Sequence, residues 1–243
     1  MNEWHVVSFS GGKDSTAMLL RMLELNMRVD EVLFCDTGVE FPQMYEHVDK
    51  VEKYIGRPIT RLKSDKPYEY YLLEHQRTRG KYIGAKGYGW ARVFRRWCTK
   101  YLKTANVKKH LGELEKTHEV KMYTGIAADE QKRIKDKIYP LVEWGWTEAD
   151  ALQYCYEKGF DWGGLYKIFH RVSCWCCPLQ SLDECRKLRK HFPALWEQLR
   201  AWDRVAWNDF RNDYTVEQLE EKFHREDEWE KMQMKLFEEE ATA

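Results

Sequence analysis

Val6-Val7-Ser8-Phe9-Ser10-Gly11-Gly12-Lys13-Asp14-Ser15 decides the fold. It opens with a short β-prone run, turns on two glycines and leads into a helix predicted over Ser15 to Asn26. That helix is apolar nearly all round (Ala17, Met18, Leu19, Leu20, Met22, Leu23, Leu25) and therefore belongs in a core. A strand, a glycine turn and a helix start make a natural phosphate site. The glycines let the backbone approach an anion, and the unsatisfied N–H groups of the first helical turn face it. Lys13 adds a point charge, Ser15 can donate to a phosphate oxygen, and Asp14 can hold a magnesium ion or orient a neighbour. The spacing is not that of a Walker A loop, which has a longer spacer before its Gly-Lys-Ser/Thr end, so kinase and GTPase readings lose their main support.

Outward from this loop the chain alternates. Glu31 to Cys35 reads as a second buried strand stopped by Asp36-Thr37-Gly38, Pro42 opens a helix that ends at Gly56, and Ile59 to Leu62 reads as a third strand. Val120 to Thr124 resumes the pattern, and Thr147 with Asp150 resembles a capping box closed by Gly159. Such alternation predicts βαβ units on a parallel sheet, an α/β fold with a Rossmann-like architecture. Beyond Gly163 the character changes to a Cys-rich stretch and a helix opened by Pro193. The expected division is a nucleotide-binding domain over residues 1–165 and a Cys-rich, helical region over 166–243.

Formal net charge is zero but unevenly spread. From Gln76 to His110 there are eleven Lys or Arg and no Asp or Glu, whereas from Asp213 to Glu240 acidic residues outnumber basic ones eleven to four. The first segment can present a positive face to an anion, a small nucleotide or a nucleic acid. Trp196, Trp202 and Trp207 read as core or homodimer contacts more readily than as platforms for bases. No apolar run approaches the roughly 20 residues needed to cross a bilayer, and the start lacks the features of a secretory signal, which implies the cytoplasm. Seven cysteines in such a chain argue against a disulfide framework. Four of them (Cys174, Cys176, Cys177, Cys185) fall within twelve residues, which suggests a metal or redox site. Four thiolates suit zinc or an iron–sulfur cluster equally well by spacing.

Four stretches resemble the PP-loop ATP pyrophosphatase superfamily, in its branch of phosphoadenosine phosphosulfate (PAPS) reductases. They are Ser8 through Ser15; Phe34-Cys35-Asp36-Thr37-Gly38 with Glu40-Phe41-Pro42; Tyr123-Thr124-Gly125-Ile126 with Glu130 and Arg133; and Ser173-Cys174 through Cys177-Pro178. The resemblance implies an adenine nucleotide at the carboxyl ends of the strands, held by Ser8, Ser10, Gly11, Gly12, Lys13, Asp14, Ser15, Asp36, Gly38 and Gly125, with Arg133 near its phosphates. Lys13, Asp14, Asp36 and Arg133 are the expected catalytic residues. The position two after Gly125, where the family has Arg, is Ala127 here, so Arg133 or the pair Arg95-Arg96 would supply that charge. By likeness to relatives that transfer sulfur to nucleic acids, Cys98, Cys174, Cys177 and Cys185 are the expected ligands of a [4Fe–4S] cluster, with zinc as the alternative and Cys176 spare.

The complete loop favours Mg-ATP cleaved between its α- and β-phosphates. The acceptor would be a substrate such as tRNA or DNA, with a sulfur or electron donor protein as partner. A PAPS- or APS-type reductase using an external thiol is the alternative. It is disfavoured by the complete loop and by the lack of any cysteine after Cys185. A nucleotide-sensing module without turnover is the third reading.

Overall fold

In β1 (Asn2–Ser8) Val6 and Val7 are both fully buried, and in β2 (Glu31–Asp36) Val32, Leu33 and Phe34 are buried in succession. Consecutive residues point to opposite faces of a strand, so this sheet is covered on both sides, as parallel sheets are. The computed structural model describes residues 2–78, 80 and 82–242. Its sheet has four parallel strands in the order β3-β2-β1-β4, with β3 at Thr60–Lys63 and β4 at His118–Thr124. β1 pairs with β4 along its full length, Asn2 opposite His118 through Ser8 opposite Thr124.

The connections are α1 (Lys13–Glu24), α2 (Pro42–Ile55) and α3 (Ala105–Leu114), the last preceded by a π-helical turn at Thr99–Thr104. Pro42 sits at the start of α2, where its missing N–H costs nothing, and Gly56 ends it in the left-handed region. The chain runs β1 to β2 to β3 in one direction and then returns across β1 to β4. The sheet therefore has a switch point between β1 and β4, where ligands bind in open α/β sheets.

The chain separates into two compact units. One comprises Met1–Tyr68 with Arg96–Trp175, the other Glu69–Arg95 with Cys176–Ala243. The first contains the sheet, α4 (Pro140–Glu143), α5 (Glu148–Glu157) and α6 (Leu165–Ile168). Thr147 and Asp150 form the expected capping box of α5, and α5 packs on α1.

The second unit is built on α7 (Leu182–His191), α8 (Pro193–Val205) and α9 (Val216–Thr242). α7 was not read from sequence, although Ser181 and Glu184 form its capping box. Trp196 and Trp202 are core residues of α8, as expected, and the Trp196 indole donates to Glu220 on α9 at 2.6 Å. Trp207 lies outside the core and is 43% exposed.

Candidate nucleotide site

The loop after β1 lies at the switch point. Gly11 has φ 79°, and a Cβ there would come within 2.5 Å of the Met44 sulfur, so this position requires glycine twice over. Its carbonyl accepts the Trp162 indole N–H at 2.7 Å. Behind it, the buried His47 ring stacks on Trp162 with centroids 4.4 Å apart and shares a 3.0 Å hydrogen bond with the Thr16 hydroxyl. Burial pushes His47 down to about 3 from its ordinary 6.5. From the other side Gly125, just past β4, presses against α1. A Cβ on it would lie 2.7 Å from the backbone N and Cα of Ser15. The loops after β1 and β4 thus touch backbone to backbone.

Ser15 is buried, and its hydroxyl works inside the loop, accepting from the Ser10 N–H at 3.1 Å and donating to the Gly12 carbonyl at 3.0 Å. The Lys13 N–H, expected to face an anion, donates to the Tyr166 phenol oxygen at 3.0 Å. The Lys13 ammonium lies 2.5 Å from Glu148 Oε1 and 3.3 Å from Asp14 Oδ2. Asp14 is held up at about 6, chiefly by burial, with Lys13 opposing the rise and Glu148 and Glu130 adding to it. Glu148 itself is held low by its hydrogen bond to Lys13.

Asp14, Glu130 and Glu148 bring one oxygen each within 4.8 Å of one another, the one such group of potential metal ligands among the described residues. Asp14 Oδ1 and Thr124 Oγ1 are buried without a hydrogen-bond partner. An oxygen-rich set with an orphaned carboxylate oxygen suits a hard divalent cation such as magnesium. Glu130 and Glu148 escaped the sequence reading as ligands. The first seemed only part of the segment after Gly125, and the second sits inside a capping box.

Arg133 is half-exposed and pairs with Glu130 through its guanidinium. Asp36, at the end of β2, accepts from the Gly38 N–H and the Tyr45 hydroxyl, each at 2.8 Å, which fixes the Asp-Thr-Gly turn. Ser8 ends β1 opposite Thr124. Arg96 belongs to the first unit and Arg95 to the second; both are exposed.

The four expected cluster thiols divide two and two between the units. In the first, Cys98 and Cys174 lie near the Lys103 ammonium, together with Cys35 and Glu40; Glu40 Oε1 is 3.7 Å from Lys103 and accepts from Cys174 at 3.5 Å. Desolvation opposes the Lys103 charge, but Cys174, Glu40, Cys35 and Cys98 outweigh it and push Lys103 up, although the side chain is 42% exposed. Burial pushes the Cys98 and Cys35 thiols up, and the Lys103 charge opposes only part of that rise, so a bound metal would have to supply the rest of the stabilisation of their thiolates. Cys35, on β2, stands in the same neighbourhood. In the second unit Cys185 is fully buried on α7, which pushes it up to about 12, with the Cys177 and Glu184 charges adding to the rise.

A phosphate-type loop at the switch point of a parallel sheet, with Lys13 and three carboxylates from α1, α5 and the Glu130 loop around it, marks an α/β protein with a candidate anion site. The phosphoadenosine phosphosulfate reductase domain matches residues 4–180, and the chain belongs to that family. It is 30% identical to the uncharacterized protein MJ0066 of Methanocaldococcus jannaschii, over 82% of this chain and 41% of that one. It is 34% identical to the uncharacterized nin region protein ORF290 of Escherichia phage lambda, over 74% of this chain and 67% of that one. The chain thus spans less than half the length of the archaeal relative. A PAPS reductase from Candida auris, solved as a phosphate complex, aligns with TM-score 0.48 and 18% identity over 72% of this chain and 82% of its own. No helix among the described residues is long and apolar enough to cross a membrane.

Proposed function

We propose that this chain is a cytoplasmic PP-loop ATP pyrophosphatase that binds Mg-ATP and adenylylates a nucleic acid for sulfur transfer. The observation that carries the reading is the Lys13 ammonium at the start of α1, set among Asp14, Glu130 and Glu148. An acceptor oxygen attacks the α-phosphorus. A new P–O bond forms, the bond to the α–β bridging oxygen breaks, and its electron pair leaves on pyrophosphate. A sulfur nucleophile from a donor protein then attacks the activated carbon, and AMP departs with the oxygen. Lys13 neutralises charge developing on the phosphates, with Arg133 as a further cation, and the chemistry is mainly positioning and charge stabilisation.

Ser8, Ser10, Gly11, Gly12, Ser15, Asp36, Gly38 and Gly125 shape the nucleotide site. Asp14, with Glu130 and Glu148, would hold magnesium, which screens the phosphate charge when bound. Cys98, Cys174, Cys177 and Cys185 would hold a [4Fe–4S] cluster, which supplies electron or sulfur chemistry when bound; zinc there would be structural.

Pyrophosphate release from Mg-ATP with tRNA and DNA acceptors tests the reading. Lys13→Ala and Asp14→Ala should each abolish nucleotide binding or turnover with the fold retained. Unchanged nucleotide affinity in both would refute it. Anaerobically purified protein should contain about four irons per chain. Loss of iron is expected in Cys98→Ala, Cys174→Ala, Cys177→Ala and Cys185→Ala, and retention in Cys35→Ala, Cys155→Ala and Cys176→Ala.

A further inference from the structure

Phe94 is 98% exposed, and its neighbour Val93 is 57% exposed. They form the tip of a tight turn in which Arg92 and Arg95 face each other as an antiparallel bridge, with the Arg95 N–H donating to the Arg92 carbonyl at 2.9 Å. The turn is anchored. The Arg92 guanidinium donates to the carbonyls of Phe210 (3.0 Å), Asp209 (2.6 Å) and its own neighbour Ala91 (3.1 Å). The preceding Trp90 is buried, and its N–H and indole donate to Asn208 Oδ1 and Asp203 Oδ1, each at 2.7 Å. An aromatic ring in water at the tip of a fixed turn is not loop slack.

The same 207–210 segment carries a second aromatic surface. Trp207 and Tyr82 lie with ring centroids 5.0 Å apart, both partly exposed, and the Arg77 guanidinium sits 4.6 Å from the Trp207 ring centroid. From Gln76 to Arg95 the sequence has six Lys or Arg and no Asp or Glu. Lys86 and Arg95 are exposed, and among the described residues neither is in an ion pair.

We propose that the turn Arg92–Arg95 is a nucleic-acid reader in which Phe94 stacks on an unpaired base while Arg95 and Lys86 meet the backbone phosphates. This rests on the nucleic-acid acceptor proposed above. Asp203 and Asp209 lie on the anchored side of the turn beside Arg92, while the exposed Arg95 attracts a polyanion and the bare ring next to it in the turn selects the π-face of a base. A duplex keeps its bases stacked on each other, so the preferred ligand is single-stranded or locally unpaired DNA or RNA.

The test uses the full chain with single-stranded DNA and RNA oligonucleotides carrying 2-aminopurine, and with the corresponding duplexes. Wild type should bind the single strands more tightly than the duplexes and change the 2-aminopurine fluorescence. Phe94→Ala should weaken single-strand binding about 5- to 150-fold, the range for loss of one base stack, and abolish the fluorescence change. It should leave the salt dependence as it was, since no cation is removed. Phe94→Trp should restore both signals, and Arg95→Gln should flatten the salt dependence with the fluorescence change retained. Normal single-strand binding by Phe94→Ala overturns the reader while leaving the acceptor reading intact. No binding of any oligonucleotide by wild type overturns both. Self-association that Phe94→Ala removes, without any effect on oligonucleotides, assigns the tip to a second copy of the chain and also overturns the proposal.

Discussion

Acidification should weaken this protein partly through His47, and the size of that contribution follows from its surroundings. The ring is buried between α1 and the Trp162 indole and is held neutral, at about 3 against an ordinary 6.5. Because its folded value lies below its unfolded one, the stability it contributes is complete above 6.5. That contribution falls as pH drops from 6.5 toward 3, since the unfolded chain takes up the proton first. Linkage across that gap gives a loss of about 2 kcal/mol between pH 7 and pH 5, and about 3 kcal/mol by pH 4. The assay is urea unfolding of wild type and His47→Gln over this pH range. The variant should be less stable at pH 7, for want of the ring stack, but the difference should shrink by about 2 kcal/mol at pH 5. A difference that stays constant with pH would refute the reasoning, because it would mean that His47 titrates alike in both states.

Gly125→Ala should cost about 1–3 kcal/mol in unfolding free energy and weaken Mg-ATP binding, because its methyl group meets the Ser15 backbone and neither chain can yield cheaply. Trp162→Phe keeps a ring against His47 but removes the donor to the Gly11 carbonyl. The Thr16 hydroxyl still reaches that carbonyl at 3.5 Å, so a loss of about 1 kcal/mol is expected, read by thermal melts with and without nucleotide. Ser181→Ala removes the cap of α7 and should cost about 1 kcal/mol in chemical denaturation without altering nucleotide affinity.

The sheet was legible because its signals are local: buried runs, a proline at a helix start, glycines at turns. β1, β2, β3 and β4 fall within a few residues of the positions read from sequence. What lay beyond reach is long-range. Tyr166 and Glu148 meet Lys13 across more than a hundred residues, and nothing near them in sequence marks them as its partners. Residues 69–95 join the C-terminal helices through Trp90 and Arg92, a pairing that hydrophobic periodicity does not encode. α7 is a different case, since Ser181 and Glu184 stood three apart before a leucine-containing run, a signal masked by the cysteines around it.

The Lys13–Glu148 contact bears on the order in which ligands arrive. Lys13 carries its own counterion, so an incoming phosphate would compete with a carboxylate already seated on the ammonium. Once displaced, Glu148 remains beside Asp14 and Glu130 while Lys13 turns to the phosphates. Asp14 and Glu148 would then lack their cation, while Glu130 keeps Arg133, and these carboxylates would face a polyanion. Uncomplexed nucleotide meets that repulsion in full, whereas nucleotide that travels with a divalent cation brings the missing charge with it. On the proposed function, nucleotide bound as its metal complex should therefore be preferred to free nucleotide.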